Sequence, residues 1–180
     1  MVRIGIIGTA GRKEDANRMS KELYDKMKIL IYRMIIYIEP DFSKIQLVSG
    51  GAAWSDHLAV SLYLEHSEIN LSLHLPCQFD EGKYINSKTG NIGNYYHGKF
   101  SDKVGYNTLK EIGLCIQKGA NIKVGDGFYD RNNSISQSVD YLIAFTWGTE
   151  GKPKDGGTSN TWKSCPPSVK KIHISLELFS

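Results

Sequence analysis

Three short stretches of this chain carry the residue types that hold a phosphate-bearing ligand. They are Gly8-Thr9-Ala10-Gly11-Arg12, then Ser49-Gly50-Gly51-Ala52-Ala53-Trp54-Ser55-Asp56, then Gly156-Gly157-Thr158-Ser159. Glycine lets backbone approach a ligand closely. A helix starting behind such a turn offers unpaired N–H groups and the positive end of its dipole, and both suit phosphate. Arg12 and Arg131 can add charge-assisted forks to the same anion. Asp56 can accept from ribose hydroxyls, although a carboxylate in the first turn of a helix is also stabilised without a ligand. The hydroxyls of Thr9, Thr158 and Ser159 suit a phosphate or a helix cap. Asn132 can bond a ligand or the adjacent loop. Trp54 and Trp147 stand where a base could stack, a contact worth about 1–3 kcal/mol. Ala10 and Ala52, within the first two turns, are expected ligand contacts as well. Together the three turns are expected to line one anion pocket.

Other chemistries lack their residues. The first turn is spaced Gly5-x-x-Gly8-x-x-Gly11, which is not GxGxxG, and no Gly-rich loop runs into Gly-Lys-Ser/Thr. His57, His66, His74, His97 and His173 have no metal-ligand spacing, and Cys77, Cys115 and Cys165 form no CxxC pair. Neither a metal, a cofactor nor a disulfide framework is expected, and a reduced cytoplasmic setting is the simplest reading. A net charge of +3 is too mild for a nucleic-acid wrapper but suits a small anionic ligand. The longest apolar stretch, Ile29–Ile38, is interrupted by Arg33 and is about half of what a membrane span needs.

Alternating strands and helices must position the turns. Val2–Ile7 reads as a strand buried on both faces. A helix is predicted from about Asp15 to Ile38, with Met19, Leu23, Met27, Leu30, Met34 and Ile38 on one stripe. Ile45–Ser49 is a second strand, followed by a helix capped by Ser55 or Asp56. Ile69–Leu75 is a third strand placed near an edge, because polar residues alternate along it. Residues 78–104 read as a polar, aromatic-rich insertion in loop form. Beyond it come a helix over Thr108–Lys118, a strand over Ala120–Val124, a short helix over Asn133–Ser138, a strand over Asp140–Phe145, a brief helix from Thr158 and a strand over Val169–Leu176. This order predicts an α/β, Rossmann-like three-layer sandwich with a mostly parallel sheet, as one domain over 1–180. Ligands bind such sheets beyond the carboxyl ends of the strands, where the strand order reverses.

Three motifs in register resemble the SLOG superfamily, which includes LOG phosphoribohydrolases, DprA proteins and the small YspA/YpsA-like branch. Ser49-Gly50-Gly51-Ala52-x-x-x-Asp56-x-x-Ala59 is similar to that family's SGGA signature. Asp130-Arg131-Asn132-x-x-Ile135-x-x-Ser138-x-Asp140-x-Leu142-Ile143-Ala144-Phe145 is similar to its RN segment, and Gly156-Gly157-Thr158 to its GGT turn. The likeness is nearest to the YspA-like branch and covers residues 2–76 and 120–176. It implies a Rossmann-like nucleotide-binding domain, with Arg131 near the ligand and a homodimer or higher homo-oligomer. Two positions depart from the pattern. Trp54-Ser55 replaces a glycine, and Thr161 stands where LOG enzymes carry a glutamate.

A threonine cannot serve as a carboxylate base. The expected function is therefore binding of a nucleotide or nucleotide-derived molecule, such as an ADP-ribose-like or cyclic signal, by a sensor or sequestering protein. The alternative is an N-glycoside hydrolase acting on a nucleoside phosphate, with Asp56, Glu150 or Asp155 as the carboxylate. Single-stranded DNA binding is a third reading, disfavoured by the low charge.

Overall fold

The computed structural model describes residues 1–149, 151–154 and 156–180. The chain opens with β1 (Val2–Gly8), passes through a 3-10 turn at Lys13–Arg18, and enters α1 (Lys21–Ile38). Then follow β2 (Ile45–Ser49), α2 (His57–Glu65) and β3 (Asn70–Leu75). A hairpin of β4 (Phe79–Asp80) and β5 (Lys83–Tyr84) leads to α3 (Lys88–Val104) and α4 (Thr108–Gln117). The last elements are β6 (Asn121–Val124), α5 (Phe128–Ser136), β7 (Tyr141–Thr146), α6 (Gly157–Ser164) and β8 (Lys170–Ser175).

Six strands form an entirely parallel sheet in the order β6-β3-β2-β1-β7-β8. The chain winds outward from β1 on one side, then returns to add β7 and β8 on the other. The order thus reverses between β1 and β7, where Gly8 pairs with Phe145. This is the Rossmann-like α/β architecture expected.

Both sheet faces are covered because successive strand side chains point opposite ways. Ile4, Ile6, Leu47, Ile143 and Phe145 face the larger core, with Tyr24, Met27 and Ile31 of α1 and Leu58 of α2. Ile7, Val48, Leu142 and Ala144 face a smaller one with Ile135 of α5 and Val169. Among the described residues, no helix is long and apolar enough to cross a membrane.

Several expectations need correction. The first long helix starts at Lys21, not Asp15: Ser20 accepts from the Leu23 N–H and caps it, while the Asp15 carboxylate is used elsewhere. Strand β3 does lie near an edge, next to the edge strand β6 and with β2 on its other side, but not for the reason expected. Its polar alternation does not mark a solvent face, since Ser72 and His74 are buried and bonded to each other. The predicted loop at 78–104 is mostly ordered as the hairpin and α3. Ser87 caps α3, and Gly93 lets it lie against the Tyr84 ring. Helix α5 begins at Phe128, five residues before the expected Asn133.

Candidate functional site

A cavity of about 640 Å³ opens at the carboxyl ends of β1 and β7. Gly8, Thr9, Ala10 and Arg12 border it from the first turn, and Ala52 and Asp56 from the second. Arg131 and Asn132 enter from α5, and Gly156, Gly157, Thr158 and Thr161 from the start of α6. Twelve residues thus converge on one space from four separate parts of the chain, as the strand-order rule requires.

Arg131 is nearly buried and anchored on three sides. Its Nη1 donates to the Gly50 carbonyl at 2.6 Å, and its Nε donates to Asn132 Oδ1 at 2.9 Å. Asp56 Oδ2 lies 3.9 Å from the same Nη1. Asn132 donates through Nδ2 to the Gly157 carbonyl at 3.4 Å, tying α5 to the third turn. Burial raises the Asp56 pKa above the usual carboxylate value, opposed chiefly by Arg131. Ser55 or Asp56 was expected to cap α2, but neither makes a cap bond: Ser55 donates to the Phe145 carbonyl, and the Asp56 carboxylate turns back to accept from the Ala52 N–H.

Arg12 is held differently. Its guanidinium carbon lies 4.8 Å from the Tyr96 ring centroid and 5.2 Å from that of Phe128. Among the described residues it forms no ion pair. Burial lowers its pKa from the ordinary arginine value, so this cation is stripped of part of its water without gaining a carboxylate.

At another part of the rim, Thr9 donates its hydroxyl to Asp15 at 2.7 Å, and the Lys154 ammonium binds both Asp15, at 2.8 Å, and Glu14, at 2.6 Å. Sequence reasoning missed Asp15, Lys154 and Phe128 as cavity residues. No local signal marks Lys154, whose partner Asp15 is 139 positions away.

Gly11, Gly50, Gly51, Trp54, Trp147 and Ser159 do not border the cavity. Trp54 is 3% exposed and packs between Tyr24 and Phe100, with ring centroids 6.1 and 4.3 Å away. Its φ of +65° is left-handed, the conformation a glycine takes most easily, so backbone strain is offset by burying the indole. Gly11 sits against that indole. Trp147 lies under the Arg18 guanidinium at 3.7 Å. Gly50 is closed over by Arg131 and Asp56, and the Gly51 carbonyl is taken by Tyr84 Oη at 2.7 Å and His97 Nε2 at 2.9 Å. Ser159 is buried within α6, and neither it nor Thr158 caps that helix. Thr161 donates to the Gly157 carbonyl at 3.1 Å. Glu150 and Asp155 lie outside the described residues. Among the described residues, no cluster of His, Cys, Asp and Glu could hold a metal ion.

The helix starts around the cavity share one property. Helices α1, α3 and α4 begin elsewhere and are capped by Ser20, Ser87 and Asn107. Helices α5 and α6 begin at the cavity behind Gly127 and Gly156, with no side-chain cap. Their first N–H groups are the kind of donor an anion accepts from.

No protein-family model matches the chain. No solved structure matches it either. The uncharacterized protein R261 of Acanthamoeba polyphaga mimivirus is 40% identical to it over 181 residues, covering 99% of this chain and 98% of that protein.

Proposed function

The chain belongs to the same family as the mimivirus protein R261, and we propose that it binds a nucleotide or nucleotide-derived small molecule in the cavity beside β1 and β7, as a sensor or sequestering protein. One observation carries the reading. Two uncapped helix starts and two arginines converge on this cavity, and Arg12 has no ion-pair partner among the described residues. A phosphate or diphosphate supplies the missing charge and the missing acceptors together. The SLOG-like motifs support the same reading, because Arg131, Asn132, Gly156, Gly157 and Thr158 all border the cavity.

The carboxylates present favour holding a ligand over cutting one. Asp15 is engaged by Thr9 and Lys154, Asp56 lies beside Arg131, and Thr161 has no acidic group. Titration calorimetry against AMP, ADP, ADP-ribose and cyclic dinucleotides tests the proposal, with chromatography of the same mixtures for free base. Saturable binding without released base is expected. No binding at millimolar concentration overturns the reading, and released base replaces it with N-glycoside hydrolysis.

A further inference from the structure

A second cleft, of about 370 Å³, lies at the carboxyl ends of β3 and β6 and shares no lining residue with the nucleotide cavity. Ser134 of α5 and His74 of β3 meet there, with Ser134 Oγ 2.6 Å from His74 Nδ1. The other ring nitrogen, Nε2, lies 3.1 Å from Ser72 Oγ, and that oxygen accepts from Asn121 Nδ2 at 3.3 Å. A hydroxyl within reach of an imidazole, itself oriented by a third group, is the arrangement that activates a serine nucleophile.

The neighbouring serines show that Ser134 is not following the habit of its helix. Ser136 donates to the Asn133 carbonyl at 2.8 Å and Ser138 to the Ser134 carbonyl at 2.6 Å, the ordinary way a helical hydroxyl is satisfied. Ser134 turns to His74 instead. We propose that Ser134 is a nucleophile, with His74 as its general base, which takes the acyl group of small activated esters in this cleft.

The working tautomer is the one in which His74 carries its proton on Nε2. Ser72 Oγ has a second lone pair to accept from His74 Nε2–H, which leaves the Nδ1 lone pair facing Ser134. Burial, with Lys123 and Arg131 nearby, pulls the His74 pKa down to about 4, so the ring is neutral and able to accept a proton at pH 7. Such a base draws a proton weakly, which suits an ester with a good leaving group and not an amide. In the first step the Ser134 proton passes to Nδ1 while Oγ attacks the carbonyl carbon. The bond from that carbon to the alcohol oxygen breaks, and the alcohol leaves with the proton from His74. Water then attacks the acyl-serine through the same base, releasing the acid and restoring Ser134. Lys123 lines the cleft as the cation available to a developing oxyanion, beside Asp130, whose carboxylate accepts from the Asp126 N–H at 2.8 Å, and Leu75 and Val124 give the acyl group an apolar wall.

The test treats the full chain with a fluorophosphonate probe and reads intact mass and the labelled peptide, with p-nitrophenyl acetate hydrolysis alongside. One adduct on Ser134, formed with loss of fluoride, is expected. Ser134→Ala should abolish it, Ser138→Ala should label like the parent, and His74→Gln should slow labelling by about a hundredfold. Melting curves show whether each variant folds. If His74→Gln does not fold, Ser134→Cys supplies the same readout: its thiol should alkylate with iodoacetamide faster than that of Ser138→Cys. No adduct on Ser134, labelling unaffected by His74→Gln in a folded variant, or equal alkylation of the two cysteine variants overturns the proposal. None of these outcomes depends on nucleotide binding.

Discussion

The turns after β1 and β2 are both glycine-rich, yet they meet different neighbours. The first faces the cavity: Gly8, Thr9, Ala10 and Arg12 all border it. In the second, Ala52 and Asp56 reach the cavity, but the two glycines are covered by the protein itself. Tyr84 and His97, from the segment between β3 and α4, both donate to the Gly51 carbonyl, and Arg131 donates to that of Gly50. A glycine therefore marks close approach without saying what approaches. At the first turn the expected visitor is a ligand. At the second it is a tyrosine and a histidine, and the turn works indirectly, by holding the carbonyl that aims Arg131.

Substitutions should separate the two turns. The largest effect is expected at the covered one. Gly51 has φ +71°, and a Cβ there would lie 2.5 Å from Tyr84 Oη and 2.6 Å from a Leu75 methyl. Left-handed strain and overpacking together predict a loss of about 2–5 kcal/mol for Gly51→Ala, read by urea unfolding. A loss under about 1 kcal/mol would mean that the insertion does not clamp this turn.

Arg12→Ala acts on the open turn. It should weaken nucleotide binding by about 10–100-fold in calorimetry while changing stability by no more than about 1 kcal/mol. An unchanged affinity would remove Arg12 from the ligand site. Tyr84→Phe is the converse probe. Loss of one buried hydrogen bond should cost about 1 kcal/mol of stability and leave affinity unchanged, because His97 still holds the Gly51 carbonyl. If affinity falls together with stability, the two turns are coupled more tightly than their separate contacts imply.

The smallest effect is with pH. Burial pushes the His97 imidazole down to about 3 and His74 to about 4, so the unfolded chain binds more protons than the folded one below the ordinary histidine pKa. Stability from these groups is complete above about pH 6.5 and declines as pH falls towards 4. Between pH 7 and 6 the decline should be under about 1 kcal/mol for each ring. His97→Gln should flatten the pH dependence of the urea midpoint. A slope identical to the parent's would show that His97 is not titrating on unfolding.

Much of the sheet was legible because several of its strands are short apolar runs closed by glycine, as in Val2–Ile7 before Gly8 and Ile45–Ser49 before Gly50. Helix α3 was not, because Gly90, Gly93 and Gly98 oppose helix by propensity, and tertiary packing against the hairpin, α4 and the core through Phe100 repays that cost. The same limit hid half of the site. Arg131 and the third turn were found from their motifs. Phe128 and Lys154 were not, since each matters through a partner remote in sequence, Arg12 for the one and Asp15 for the other.

Trp54 marks the boundary between the two kinds of information. Its place in the SGGA-like stretch and its size are plain in the chain, and both suggested a ring over the ligand. Its backbone has the left-handed angle suited to the glycine it replaces, but the ring turns into the core against Phe100. The order of residues determined which strands form, that they alternate with helices, and where glycine allows close contact, because propensity and patterning act over a few positions. Only the tertiary structure decided which of those contacts are filled from within and which are left open to a ligand. Side-chain direction and competition for buried volume are settled among residues brought together from distant parts of the chain.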